Sequence, residues 1–391
     1  MNRNAGVPLA LLVKLRRLQF LCRAPKDTAQ FAISAGVVYS ECKFTGHARV
    51  HAVRVKTDSL WKGNAVKLYG LLLVMMVGGC LVLAAPAPMV AAPTAQEERQ
   101  LGRHGIDLTL DGDLRGATEI FRQIQRQNPD SPIGYVLEAD VTWWQIYYDS
   151  ANLIDPDVFD VTNKEATPYD AHFNDLVNVA IQKAEALIHA NQDVARNYLY
   201  EGFAYALRAR MEGLHDRDLP TARAGKKMRT LLLRSLALDS SLNDAYLGIG
   251  IYNYFVDTLP AIVKFLSIFI GLPGGSRTEG LRQLQLCADQ GEIVHGEAKF
   301  YLAKDFSRAS ERQFETSQHL FRELEKEYPH NPLWPMLISS LDLRLGKAAQ
   351  GEAGYRAVYQ NTAGKASEVD VAVHRAARQA LARLHPEQQL P

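Results

Sequence analysis

Cysteine is scarce in this chain: four in 391 residues, which excludes a disulfide-built scaffold. Metal and nucleophile signatures are missing too. The eleven histidines are scattered, with no HExxH, no paired CxxC and no GxSxG elbow. His295 precedes Glu297 in IVHGEAKF but has no second histidine at ligand spacing. Asp155, Asp157 and Asp160 have neither the turn glycine nor the closing glutamate of a calcium loop. The stretch GLPGGS lacks a preceding strand and the GKS or GKT ending of a phosphate loop. Carboxylate pairs such as Glu97-Glu98 and Glu323 with Glu325 read as solvated helix faces. The expectation is a non-catalytic protein with no cofactor and no bound metal.

Basic charge is short in the long C-terminal part. Residues 1–65 hold 11 Lys+Arg against 3 Asp+Glu, and the remainder holds 33 against 40. That remainder lacks the basic surface a nucleic-acid binder needs, so no nucleic-acid partner is expected. Charge is missing altogether from Leu68 to Gln96, behind Lys62 and Lys67. A basic flank, an apolar run and then small residues with prolines is the order of a secretory signal, which places the following domain outside the cytoplasm. Three outcomes fit residues 66–95: cleavage near Ala87, Ala92 or Ala95, lipidation at Cys80 behind Val77-Gly78-Gly79, or retention of residues 68–85 as a single membrane anchor. Residues 1–65 are a basic extension without periodicity, either a mis-assigned translation start or a cytoplasmic tail.

What is present from residue 96 to 391 is helical periodicity. Apolar residues recur at three and four spacing and alternating runs are few, so an all-α domain is expected. The segment 98–131 carries Leu101, Gly105 and Leu108, then Ala117, Phe121 and Ile124, then Pro129. The small residues let two helices approach, Phe121 fills their seam and Pro129 stops the second. Tyr198, Gly202 and Tyr205 open a further unit. Tyr246 and Gly250 with Gly280, Leu284 and Cys287 give another; Ser317, Phe321, Leu324 and Pro329 give one more, and a last pair divides at Gly346-Lys347. These units resemble the tetratricopeptide repeat, degenerate where Leu108 replaces the usual tyrosine. The resemblance implies an α-solenoid of five or six helical hairpins with a concave binding face. Insertions are expected near 150–168, 212–222 and 256–275. The block from Gly248 to Leu284 also resembles blocks in the tetratricopeptide proteins linked to inclusion-body clearance at the mitochondrial outer membrane and in their bacterial relatives.

Carried over from the family, the groove positions of the inner helices include Arg99, Asp140, Trp143, Trp144, Arg196, Phe203, Asp244 and Tyr254, with Tyr200 beside them. Trp143, Trp144, Tyr147 and Tyr148 form the densest aromatic cluster, apt for recognition or for a core. The lining is not the basic clamp of chaperone-tail binders. The apolar hairpin 256–272 is too short to span a bilayer; Phe265 and Phe269 are its candidates for membrane or partner contact. The expected function is a protein-interaction scaffold of the bacterial cell envelope, periplasmic or membrane-anchored, binding an unidentified protein or peptide. A membrane-associated adaptor or lipid-contacting carrier using the 256–272 hairpin is the alternative, and an envelope enzyme is a third, weaker one.

Overall fold

The computed structural model describes residues 94–150, 152–154, 165–259, 271 and 273–385. The chain divides into two units, Met1–Pro86 and Ala87–Pro391, and every described residue belongs to the second. Cys80, the run 68–85, Asp155, Asp157, Asp160, Phe265 and Phe269 lie outside the described residues.

Among the described residues every regular element is an α-helix. In chain order these are α1 (Ala95–Leu110), α2 (Leu114–Gln127), α3 (Ile133–Ser150), α4 (Asp170–His189), α5 (Val194–Leu214), α6 (Asp218–Leu238) and α7 (Ala245–Thr258). They continue with α8 (Arg277–Gln290), α9 (His295–Phe306), α10 (Phe314–Glu327), α11 (Leu333–Arg344), α12 (Ala348–Thr362) and α13 (Glu368–Leu384). Local chemistry starts them. Thr94 and Glu97 form a reciprocal capping box on α1, and Asp113, Ser276 and Ser367 cap α2, α8 and α13 with side-chain oxygens. At the Pro129 stop, Ser131 donates to the buried Glu98 carboxylate at 3.0 Å, tying the α2–α3 turn to the start of α1.

The helices pair as successive antiparallel hairpins, and each odd-numbered helix from α1 to α7 also touches the next odd one. The small residues act as expected. A Cβ on Gly105 would run into the ring of Phe121, which is itself fully buried in the seam. Gly250 and Gly280 face each other across α7 and α8, and a Cβ on Gly280 would lie 2.7 Å from the carbonyl oxygen of Gly250. Backbone cannot yield as a side-chain tip can. Gly280→Ala should therefore cost about 1–3 kcal/mol by overpacking, read as a lower urea midpoint at unchanged slope.

Residues 212–222 do not form a separate loop. They complete α5 and open α6, each 21 residues long, around a short turn in which Asp216 takes φ 57. Pro220 is the third residue of α6, where a backbone N–H has no intrahelical partner to lose. Pro335 holds the equivalent place in α11.

The row of hairpins curls until its ends meet. Besides its chain neighbours, α9 touches α1 and α7, and α13 touches α3. Ten of the twelve residues of α9 and nine of the twelve of α11 are buried, the environment of interior helices. Phe300 is the hub, with ring centroids 5.0 Å from Trp144 and 5.8 Å from Trp334. Removing side chains such as Phe300 and Leu302 from water contributes about 1.5–3 kcal/mol each. Polar contacts fix the closure. Asn331 donates to the Leu110 carbonyl at 2.7 Å and to the Tyr148 hydroxyl at 3.0 Å, and Tyr328 donates to Asp107 at 3.1 Å. His330 meets Asp111 at 2.7 Å.

Candidate functional site

Several of the groove positions, Arg99, Asp140, Trp144, Arg196 and Asp244, meet one segment, residues 292–297 of the same chain. At the rim, Arg99 Nε donates to Glu292 Oε1 at 2.7 Å and Arg196 Nη1 to Glu292 Oε2 at 3.1 Å. The two cations hold the Glu292 carboxyl below its usual range despite partial burial. Asp244, fully covered, accepts the N–H groups of Ile293 and Val294 at 3.0 Å each and so starts α9. Trp144 donates from its indole to Glu297 at 3.0 Å. Further along, Lys304 donates to the Tyr147 hydroxyl at 3.3 Å and lies over the Tyr147 ring.

These contacts correct the reading of an open concave face. Asp140, Trp144, Tyr200, Phe203 and Tyr254 are all buried, and Trp143 is half-buried with its ring near Phe173. Tyr254 has its ring in the core and its hydroxyl on Glu311 at 3.1 Å. The reason is curvature: once the row closes, the side chains that would face a groove meet α9 instead. Arg99 and Arg196 remain at the rim, engaged with Glu292.

The most unusual chemistry lies where α3, α5 and α9 meet. Asp140 and Glu297 are both buried, and Arg210 donates to Asp140 Oδ1 at 3.2 Å while its guanidinium lies over the Tyr301 ring. Burial pushes both carboxyls up; their mutual repulsion adds to it for Glu297, and Arg210 opposes it. Asp140 Oδ2 has no donor while both groups are ionised. A proton on either carboxyl would supply a donor between them and lessen their repulsion. Such a pair can store a proton, but its walls are packed side chains.

Asp305, near the end of α9, is another buried carboxyl, pushed up to about 8 by burial although Arg308 and Lys304 pull it down. A carboxyl whose folded pKa is raised favours the folded state below its unfolded pKa and loses that contribution as pH rises through the folded value. Stability should therefore fall between about pH 4 and pH 8 by up to about 5 kcal/mol from this group. Asp305→Asn should flatten that limb in urea titrations taken at several pH values.

Two depressions open on the outside. One, about 450 Å³, is lined by Asp257, Thr258, Arg277, Thr278, Arg308 and Ser310. The other, about 400 Å³, lies between α2, α3 and α4 beside Arg122, Arg126, Tyr135 and His172. Its floor is Glu138, which is buried and accepts from Arg122 at 2.9 Å and Gln125 at 2.6 Å. Among the described residues no group of three histidine, cysteine or acidic side chains could hold a metal, and no helix is long and apolar enough to cross a membrane. Cys287 is buried, and burial pushes its thiol well up, which leaves it unreactive.

Comparison with known proteins finds no family model and no curated protein that matches this chain. Sequence reasoning missed Arg210, Tyr301, Lys304 and Asp305. Nothing in HGEAKFYLAKDF marks it as interior, since its charged residues fall on several sides of the helix.

Proposed function

We propose that the protein is a non-catalytic interaction scaffold of the bacterial cell envelope, built as a degenerate tetratricopeptide-like α-solenoid that meets its partner through its outer surface. The observation that carries this reading is the covered interior: Asp140, Trp144, Asp244 and Tyr254 contact the chain itself, which leaves the outer faces and rims for partners. The envelope placement rests on the uncharged stretch from Leu68 to Gln96 behind Lys62 and Lys67, read as a signal or anchor.

The test holds the interior shut. Arg99→Cys and Glu292→Cys, joined by a short bismaleimide, link α1 to the segment before α9. Crosslinked affinity capture from the source envelope is then compared for the joined and unjoined full chain. Equal recovery of one defined protein supports outer-surface binding. Recovery only from the unjoined chain would mean that the interior opens for the partner. No defined protein from either would overturn the scaffold reading.

A further inference from the structure

We propose that the outer face of α6 docks on an anionic lipid surface. The inference is independent of which protein the scaffold binds. After Asp218, the helix runs from Leu219 to Leu238 with five Lys+Arg and no acidic residue. The rest of the domain is the opposite: residues 94–391 hold 32 Lys+Arg against 40 Asp+Glu. A basic stripe on an acidic body orients the molecule toward a negative surface.

Beyond its first turn, which exposes Asp218 and Pro220, the exposed residues of α6 are Arg223, Lys226, Lys227, Thr230, Leu233, Arg234, Ala237 and Leu238, and it is these that form the face. At 100° per residue they occupy one arc of the helix, about 20 Å long. Arg223 and Lys226 form no ion pair among the described residues. Lys227 reaches Glu201 at 3.2 Å, and Arg234 lies over the Tyr198 ring at 4.6 Å. Leu233 and Leu238 are 39% and 56% exposed, two of the four large apolar side chains most open to water among the described residues. Nucleic acid or a soluble acidic peptide would leave those leucines wet. A bilayer surface takes both: leucine enters the acyl boundary, and the long cationic stems lie along it with their charges at the phosphates.

Because residues 68–85 can bring the full chain to any bilayer, the readout is resolved by residue. The full chain is mixed with vesicles of phosphatidylcholine alone, or with roughly a third phosphatidylglycerol, and briefly acetylated. Mass spectrometry then compares Lys226 and Lys227 with Lys365. Anionic vesicles should slow labelling of Lys226 about fivefold or more, neutral vesicles should leave it unchanged, and high salt should reverse the protection. Arg223→Ala/Arg234→Ala should weaken binding through this face about 25-fold, roughly fivefold per charge. Leu233→Glu/Leu238→Glu should abolish the protection at unchanged helicity. Unprotected Lys226 on anionic vesicles that carry the protein would overturn the proposal. Equal protection by soluble polyglutamate would also overturn it, in favour of an acidic protein partner.

Discussion

Trp144→Ala is expected to lower the unfolding free energy by about 3–5 kcal/mol, the range for emptying a large buried aromatic site. The indole is 2% exposed, packs on Phe300 from the far side of the closure and donates to a buried Glu297. Its removal therefore leaves a cavity and an unsatisfied acceptor together. Trp143, the next residue, is half-buried and contacts Phe173 at 6.5 Å and Tyr301. Trp143→Ala should cost about 1–2 kcal/mol. Urea unfolding of the two variants reads the difference. Similar small costs for both would mean that Trp144 faces water.

Arg210→Met is the second large effect. Asp140 and Glu297 are buried together with both carboxyls pushed up, and Arg210 is the cation that donates to Asp140. Losing one partner of a buried ion pair typically costs about 3–5 kcal/mol because the other charge stays desolvated. Adding Asp140→Asn should recover much of that loss, since the carboxyl that Arg210 served is then neutral. A double-mutant cycle by urea denaturation measures the coupling. The sign with pH follows from the raised carboxyls. Protonation stabilises the folded state, so Arg210→Met should be most harmful at high pH and mildest in acid.

The hairpins were legible in the sequence because each rests on neighbours. Gly105 with Phe121, Gly250 with Gly280 and the Pro129 stop are local pairs whose spacing reports helix packing. The closure was not legible, because it is made by residues far apart in the chain. Asn331 bonds the carbonyl of Leu110, and Trp144 bonds Glu297. Nothing in either sequence neighbourhood announces the other. The resemblance marked Arg99, Asp140, Trp144, Asp244 and Tyr254 as the lining of a groove for a protein or peptide. Trp144 and Asp244 instead meet Glu297, Ile293 and Val294 of the same chain. The extra length near 212–222, expected because the second helix arrives later than a 34-residue period predicts, lies within two 21-residue helices, α5 and α6.

The central claim is that the inner faces of the hairpins are covered by α9. Hydroxyl-radical footprinting of the native full chain tests it side chain by side chain. Oxidation of Trp144, Phe300, Trp334 and Tyr254 should be about tenfold or more slower than in the urea-unfolded chain, with Trp143 intermediate and Leu238 close to its unfolded rate. Trp144 and Phe300 oxidised nearly as fast in the native as in the unfolded chain would contradict the closed interior and restore an open concave face.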